Sequence, residues 1–427
     1  MIKYDKVTTK VYKISFSKVF IVFNNKYYES NLLLANVKIL PSFTVLFTFM
    51  AGLLSVMNDS IHLKTFCAYE RRRRMRSDTQ IVIVGPYPPP IGGNSIHVQR
   101  LAKHCLSKGL KCQVVDPYVS VSGKEPSWLI RFFGNQFTRF ICMLGWLVLN
   151  PYQILHVHVS AMDKFLIVGW FIYFSTMKAR MRVITIHSGS FVQKTSKRWP
   201  LAKWVSATLL KKFDHIITVN EEQKNFLEIF FKISPKKIHV IPAFIYPSIG
   251  KVELPESIKK LRECSSLIVG SGYATSLYAH EVLLDAVSRL QDEGLNIGVV
   301  VAVYSKYEEP YFSKLKERIQ FMSKVLLVQD MESEMFNRLL ELADVYVRTA
   351  RRDGDSVAVR EALFHGCQVV ASNCIPRPMG CEIFVTDNVE SLYLTLKRIL
   401  KERAGRNVLI DNSGKDYAED ILSIYGL

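Results

Sequence analysis

The sequence predicts an α/β protein with two domains, each a parallel β-sheet covered by helices on both faces. From Gln80 onward, short apolar runs alternate with amphipathic segments, which is the pattern of strands joined by crossover helices. The chain has 427 residues, more than one hydrophobic core usually supports. Three prolines from Pro242 to Pro255 interrupt the alternation. We therefore divide the chain into an N-terminal extension (1–77), a first domain (78–245) and a second domain (246–427).

Six strands are predicted in each domain. In the first they are Ile81–Val84, Cys112–Val115, Ile154–Val159, Val183–Ile186, His215–Val219 and Ile238–Ile241. In the second they are Leu267–Val269, Ile297–Val301, Val325–Val328, Val345–Val347, Val369–Ala371 and Ile383–Thr386. Helices such as Glu281–Leu290 and Glu332–Leu342 fall between them, and Phe165–Phe174 is predicted to be a core helix, too short to span a bilayer. Because parallel sheets bind ligands beyond the carboxyl ends of their strands, we expect the functional site in the cleft between the domains.

Residues 1–77 differ from the rest of the chain in charge and hydropathy. They hold 13 Lys/Arg against 4 Asp/Glu, in a chain of net charge +18. The uncharged 20-residue run Ile39–Asn58 is long enough to cross a bilayer, and the following cluster Arg71–Arg74 would stay on the cytoplasmic side. Two interpretations stay open: a membrane anchor, or a segment upstream of a protein that natively begins near Met75.

The basic charge and the apolar segments together predict contact with an anionic membrane surface. Nucleic acid is not expected as a partner, because the sequence has no recognised nucleic-acid-binding motif. The aromatic and basic segment Trp128–Trp146 could also lie on a membrane, although packing between domains is the simpler explanation. The eight cysteines include no CxxC pair, which favours a reducing environment. We therefore expect a cytoplasmic location, peripheral to or anchored at the inner face of the cell membrane.

A glycine loop follows the first predicted strand. The sequence from Ile81 to His97 reads IVIVGPYPPPIGGNSIH, with the pair Gly92–Gly93 just before a predicted helix. Glycine lets the backbone approach a ligand closely, and N–H groups at a helix start bind phosphate. Asn94 or Ser95 is expected to cap this helix. The spacing matches neither the GxGxxG dinucleotide fingerprint nor the P-loop.

Two carboxylates stand eight positions apart in the second domain, where Asp353–Glu361 reads DGDSVAVRE. This spacing puts Asp353 at a loop-to-helix junction and Glu361 about two turns into the helix, on nearly the same face. Acids at a helix start also favour the helix dipole, which would explain Asp353 or Asp355 but not Glu361. We therefore expect the pair to bind a polyhydroxylated ligand.

Together the two segments resemble the family 4 glycosyltransferases of GT-B fold. Asp353 stands where the acid-x7-acid signature of that family usually has Glu, and Gly92–Gly93 resembles its glycine loop. The resemblance covers roughly residues 78–427. It implies two Rossmann-like domains and a retaining, metal-independent hexosyl- or glycosyltransferase. It also implies no cofactor, only a nucleotide-diphosphate sugar as donor substrate.

By this resemblance, Asp353 contacts the hydroxyls of the donor sugar and Glu361 the nucleoside ribose. The predicted donor-binding residues are Gly92, Gly93, Arg348, Arg352, Asp353, Ser356, Val357 and Glu361, of which the two arginines are assigned as a replacement for charge that the family usually supplies elsewhere. Many members place an Arg and a Lys after the first strand of the second domain to bind the diphosphate, but Val269–Glu281 contains neither. Arg348, at a strand end, is the best candidate among the nearby arginines to supply that charge. These arginines could equally neutralise the neighbouring acids.

His187 follows the predicted strand Val183–Ile186, and a similar histidine in the family lies beside the donor sugar. His187 and Asp353 are therefore the predicted catalytic-site residues. His156 and His158 point to one face of their strand, but no third ligand stands at metal-binding spacing, so no metal site is predicted. The mechanism usually proposed for the family requires no protein nucleophile, and none is assigned.

The predicted function is sugar transfer to a glycan acceptor, lipid-linked, in surface-polysaccharide biosynthesis. One alternative is a nucleotide-sugar epimerase of the same architecture, against which the proline-rich loop argues. The other is a catalytically silent sugar-binding or scaffold subunit, which the missing Arg/Lys pair and the Asp at 353 would permit. Release of nucleotide diphosphate separates the enzyme from the scaffold, and the identity of the product separates transferase from epimerase.

Overall fold

The structure, a computed structural model, describes residues 22–23, 26–27, 81–159, 162–187, 189–247, 252–403 and 415–427. Residues 1–74 and 75–427 are two compact units. In the first, Val22–Phe23 pairs antiparallel with Lys26–Tyr27. The predicted span Ile39–Asn58 lies outside the described residues. Within the described part of the chain, no helix has the length and apolar character needed to cross a membrane.

The first sheet has seven parallel strands and contains all six strands predicted for this domain. They are β1 (Ile81–Val84), β2 (Cys112–Ser120), β3 (Leu129–Phe132), β4 (Ile154–Val159), β5 (Met181–Ile186), β6 (His215–Thr218) and β7 (Ile238–Val240). The order across the sheet is β3-β2-β1-β4-β5-β6-β7. The direction of winding therefore reverses between β1 and β4, which opens a crevice beyond their carboxyl ends.

Six α-helices accompany this sheet within the described residues. They are α1 (Gly93–Ser107), α2 (Gln136–Leu149), α3 (Met162–Ser175), α4 (Phe191–Ser196), α5 (Pro200–Lys211) and α6 (Glu221–Ile229). The predicted core helix Phe165–Phe174 falls inside α3. Val98 and Leu101 of α1 are fully buried against Ile81 and Ile83 of β1, so α1 holds the glycine loop rigidly over the sheet.

The second sheet has six parallel strands in the order β10-β9-β8-β11-β12-β13. They are β8 (Ser266–Ala274), β9 (Ile297–Tyr307), β10 (Val325–Gln329), β11 (Val345–Arg348), β12 (Gln368–Ser372) and β13 (Cys381–Phe384). The helices after β7 are α7 (Glu256–Leu261), α8 (His280–Asp292), α9 (Tyr311–Gln320), α10 (Ser333–Leu342), α11 (Val357–Phe364), α12 (Val389–Arg403) and α13 (Ala418–Tyr425). The reversal between β8 and β11 creates a second crevice.

The last helix, α13, packs in the core of the first sheet although it follows the second domain in sequence. Ile421, Leu422 and Tyr425 are buried there with residues of β1 and α1. The Tyr425 hydroxyl is also hydrogen-bonded to Nδ1 of His156. The predicted domain boundary at residue 245 stays a prediction. At the C-terminal end of the chain, helix α13 returns from the second domain to the first.

Strand β3 was not among the predicted strands, because an arginine stands in the middle of it. Arg131 is buried, and its Nε donates to Oδ2 of Asp116 on β2 at 2.9 Å. Its Nη2 donates to the carbonyl oxygen of Tyr87 at 2.6 Å. Part of the segment Trp128–Trp146 is thus a buried edge strand of the first sheet, with an ion pair to the neighbouring strand.

Candidate functional site

A cavity of about 510 Å³ lies between the two sheets, where the winding of each reverses. The glycine loop and the segment after β5 line it from the first domain, and the ends of β8 and β11 and the start of α11 line it from the second. All predicted site residues line this cavity, namely Gly92, Gly93, His187, Arg348, Arg352, Asp353, Ser356, Val357 and Glu361. The fold therefore assembles them at one place, across some 270 residues of sequence.

The glycine loop approaches the second domain closely. Helix α1 begins at Gly93, and a Cβ atom added to Gly92 would lie 2.6 Å from Oη of Tyr273. The expected cap is not observed, because Asn94 and Ser95 already lie in the first helical turn. The Ser95 hydroxyl instead donates to the carbonyl oxygen of Gly92 at 3.0 Å, which fixes the shape of the loop.

Asp353 is held by two arginines. Nε and Nη2 of Arg348 donate to its two carboxylate oxygens at 2.9 Å each, and Nη1 of Arg377 donates to Oδ2 at 3.0 Å. Burial alone would raise the pKa of Asp353, but the two guanidinium groups overcome this and lower the pKa to about 2. The carboxylate is thus ionised and rigidly oriented at the cavity wall.

Replacing Asp353 by asparagine is expected to remove a pH-dependent part of the stability. A carboxyl group in an unfolded chain has a pKa of about 3.9, so ionised Asp353 stabilises the fold above that pH, and this is lost as the pH falls toward about 2. Urea denaturation should show the stability difference between wild type and Asp353→Asn shrinking by about 2 kcal/mol from pH 4 to pH 2. Asp355→Asn is the control, because burial raises the pKa of Asp355 and the sign of its effect is opposite.

Glu361 is buried and paired with an arginine of the other domain. Its Oε1 accepts from Nη2 of Arg100 on α1 and from Nδ2 of Asn337 at 3.2 Å. Arg100 also donates to the carbonyl oxygen of Ile245 at 3.1 Å. Oε2 makes no hydrogen bond with a described residue, and Glu361 lines the cavity. One oxygen is therefore committed to the fold and the other can accept from a ligand hydroxyl.

The cationic residues of the cavity divide into paired and unpaired ones. Arg348 is paired with Asp353, and its guanidinium lies 4.7 Å from the Tyr278 ring centre. Arg352 and Lys194 are exposed, line the cavity and have no ion-pair partner among the described residues. The role predicted for Arg348 with a diphosphate stays a prediction, but its charge is already balanced. Arg352 and Lys194 are the cations that an anionic ligand would meet uncompensated.

His187, which lines the cavity, contacts two buried histidines, His97 and His158, whereas the sequence suggested a histidine pair on one strand. Nδ1 of His158 and Nε2 of His187 are 2.9 Å apart and hydrogen-bonded, and the His97 ring centre lies 5.0 Å from that of His187. The His156 ring centre lies 4.1 Å from that of His158, but both of its nitrogens are engaged elsewhere, Nε2 with the Thr185 hydroxyl at 2.7 Å and Nδ1 with the Tyr425 hydroxyl. Burial lowers the pKa of His97 to about 4 and the pKa of His187 well below its usual value. The three imidazoles are therefore neutral at physiological pH.

His97, His158 and His187 are also the residues of this site that could hold a metal ion. Their ligand nitrogens lie within 4.8 Å of one another, and neither ring nitrogen of His97 makes a hydrogen bond of ordinary geometry with a described residue. A metal would have to replace the His158–His187 hydrogen bond. The expected metal independence stays a prediction.

Hydrogen bonds between backbone and side-chain groups join the two domains beside Asp353–Glu361, the acidic motif. The N–H of Ala243 donates to Oδ2 of Asp355 at 2.9 Å, and Nδ2 of Asn220 donates to the carbonyl oxygen of Gly354 at 3.3 Å. A Cβ added to Gly189 would lie 2.3 Å from the carbonyl oxygen of Asp353. The segment after β5 is thus in direct contact with the loop Asp353–Asp355, the acidic loop at the start of the acidic motif.

Sequence reasoning missed four residues of this site. Arg100, Arg377 and Lys194 belong to no motif, and no role was predicted for His97 at the end of the glycine-loop segment; only the fold brings these residues to the acids, to the cavity or to His187. One sequence signal was available for Arg100. It lies three residues after His97, in the helix that follows the glycine loop, so both side chains lie on the same face of that helix.

Comparisons with known proteins agree with this geometry. Residues 91–248 match the family model described as Glycosyltransferase Family 4, and residues 263–402 match the model described as Glycosyl transferases group 1. No curated protein matches the chain at a significant level.

Three solved structures illustrate the similarity of fold. Sucrose-phosphate synthase from Thermosynechococcus elongatus superposes with a TM-score of 0.63 at 15% identity, covering 82% of this chain and 98% of that one. HepE from Anabaena, in complex with UDP-glucose, has a TM-score of 0.62 at 13% identity, covering 82% and 100%. A putative UDP-N-acetylglucosamine 2-epimerase from Listeria monocytogenes has a TM-score of 0.58 at 15% identity, covering 82% and 96%. These likenesses confirm the predicted fold of two parallel α/β domains.

Proposed function

This chain belongs to the glycosyltransferases of family 4 and group 1 type, with the GT-B fold, and we propose that it transfers a sugar from a nucleotide-diphosphate sugar to a lipid-linked glycan acceptor. The transfer takes place at the cytoplasmic face of a membrane and retains the anomeric configuration. The observation that carries the proposal is the assembly of both motifs, from both domains, around one cavity lined by two cations that have no ion-pair partner in the described part of the chain.

The donor's diphosphate is assigned to the cationic part of the cavity. The first residues of α1 line the cavity together with Arg352 and Lys194, and N–H groups at a helix start are suited to bind phosphate. These groups would stabilise the negative charge that develops on the leaving diphosphate. They thus take the place of the Arg/Lys pair that this chain lacks after β8.

The nucleoside and the sugar are assigned to the acidic motif. Glu361 accepts from the ribose hydroxyls through Oε2, while Asp353 and the start of α11 at Ser356 and Val357 orient the donor sugar. In the retaining step, the bond from the anomeric carbon to phosphate oxygen breaks, and the acceptor oxygen bonds to the same face of that carbon. The leaving phosphate oxygen takes the acceptor's proton, so no protein base is needed. His187, held by His158, limits the sugar's position from the other side.

Arg352→Ala is expected to raise the KM for the donor about 10- to 100-fold, because it removes charge-assisted hydrogen bonds to the diphosphate. Arg352 is exposed and unpaired among the described residues, so the unfolding free energy should not change. Arg352→Lys should recover part of the affinity. The matched control is Arg289→Ala, an exposed arginine of α8 outside the cavity. An unchanged KM in Arg352→Ala would contradict the assignment.

The decisive assay measures nucleotide diphosphate release from UDP-, GDP-, ADP- and dTDP-sugars, with membrane lipid extract as acceptor. Release from one donor, weakened in Arg352→Ala but not in Arg289→Ala, supports the transferase. Conversion of a donor sugar to its epimer without transfer would assign the chain to the epimerases instead. A folded chain that neither releases nor binds any of these nucleotides would refute the proposal.

A further inference from the structure

The start of α5 presents three large apolar side chains to solvent. Trp199, Leu201 and Trp204 expose 83%, 70% and 65% of their surface. Single exposed apolar residues are ordinary on proteins, but a cluster with two tryptophans in less than two helical turns indicates an interaction site. Tryptophan combines an apolar ring with an N–H donor, which suits the boundary between water and lipid.

The charge around this cluster indicates an anionic partner. Residues 126–213 contain twelve Lys/Arg and one acid, Asp163. Lys197 is exposed just before the cluster, and Lys203 lies inside it, between Leu201 and Trp204. Lys211 and the following Lys212 are exposed at the other end of α5. An apolar face with this surrounding charge is the pattern of a helix that lies in the surface of an anionic bilayer.

A second copy of the chain fits this face less well than lipid does. Another copy would bring the same basic segment to the contact, and the whole chain carries a net charge of +18, so the two copies would repel each other. Exposed apolar residues continue onto the neighbouring helices, with Phe137 and Leu149 on α2 and Met177 just after α3. Helix α3 packs against both α2 and α5, so these helices form one layer on the same side of the first sheet.

In the sequence, the cluster Trp199–Trp204 closely follows a helix that contributes to the cavity wall. Helix α4 carries Lys194, which lines the cavity, and ends at Ser196, three residues before Trp199. We propose that Trp199, Leu201 and Trp204, with Lys197 and Lys203, dock the first domain on an anionic membrane surface beside the mouth of the cavity. This inference rests on the proposed function in one respect: docking there would bring a lipid-linked acceptor to the donor.

Tryptophan fluorescence can test the docking in the full-length chain. The five tryptophans all lie between residues 128 and 204, so quenching by brominated lipid reports on this domain and not on residues 1–77. Vesicles of brominated phosphatidylcholine with phosphatidylglycerol should quench the wild-type protein, and vesicles without phosphatidylglycerol should quench it much less. The variant Trp199→Phe/Trp204→Phe should lose most of the quenching, because its remaining tryptophans do not reach the lipid.

A charge-reversal variant tests the electrostatic contribution to membrane docking. Lys197→Glu/Lys203→Glu should lower the partition onto anionic vesicles about tenfold or more, as measured by the same quenching. The control for the aromatic substitutions is Phe321→Ser, which removes an 85% exposed aromatic ring from the second domain and should leave the quenching unchanged. Circular dichroism confirms that each variant is folded.

Several outcomes would overturn the docking surface. The first is an absence of quenching in the wild type, and the second is equal quenching in the Trp199→Phe/Trp204→Phe variant. The third is a dimer of the wild-type chain, detected by sedimentation, that persists in the Lys197→Glu/Lys203→Glu variant. None of these measurements requires turnover, so the docking surface can fail while the donor assay succeeds, and the reverse.

Discussion

Arg100→Met is expected to lower the free energy of unfolding by about 3–5 kcal/mol, the largest stability effect foreseen for a single substitution here. Arg100 and Glu361 form an ion pair whose side chains are only 6% and 5% exposed. Methionine fills a similar volume but leaves the Glu361 carboxylate buried without its cation. Asn337 alone cannot balance a negative charge in that setting. Chemical denaturation of wild type and variant measures the loss.

The double variant Arg100→Met/Glu361→Leu separates the pair's two roles. Replacing both charges by apolar groups of similar size removes the uncompensated charge, so most of the stability should return. Nucleotide binding should not return, because Glu361 Oε2 is the group assigned to the ribose. Calorimetry with the nucleotide diphosphate of the preferred donor measures that loss. A double variant that binds nucleotide like wild type would exclude Glu361 from the site, whatever its stability.

Most strands were predictable from their apolar residues, but the strand that contains Arg131 was missed and the strand that contains Gly270 and Gly272 was predicted too short. Strand β8 was predicted as Leu267–Val269, which ends just before the glycines at 270 and 272. In the structure it continues to Ala274, and both glycines are inside it. A Cβ at Gly272 would lie 2.1 Å from the Tyr278 ring. Here glycine marks a close approach of side chains to a strand, which only the packed structure reveals.

The composition of the site was predictable, but its electrostatics were not. The motifs identify Asp353 and Glu361 through their spacing along a helix, which is a local property. Their partners Arg377 and Arg100 come from a loop after β12 and from the other domain, and no local pattern links them. For Arg348, binding of a ligand and neutralisation of a neighbouring acid both stayed open, because a sequence does not show which acids an arginine will neutralise.

Gly189→Ala is expected to lower kcat/KM by about 100-fold or more while changing the unfolding free energy little. The added Cβ would lie 2.3 Å from the carbonyl oxygen of Asp353 and 2.5 Å from the amide nitrogen of Gly354. Both are backbone atoms that cannot rotate away, so the segment after β5 and the acidic loop must separate. His187 is two residues earlier and would move with that segment. The geometry between donor sugar and acceptor would then be lost even though both cores stay intact.

Gly93→Ala is the matched comparison, because Gly93 also lines the cavity at the contact between the domains. Its added Cβ would lie 3.6 Å from Cγ2 of Val357, an ordinary van der Waals distance, and its N–H is retained. Activity should therefore fall far less than in Gly189→Ala. Steady-state kinetics of both variants measure kcat/KM, and urea denaturation measures their free energy of unfolding. If Gly189→Ala keeps wild-type kcat/KM, the contact between the segment after β5 and the acidic loop does not form during turnover, and the reaction proceeds with the domains further apart.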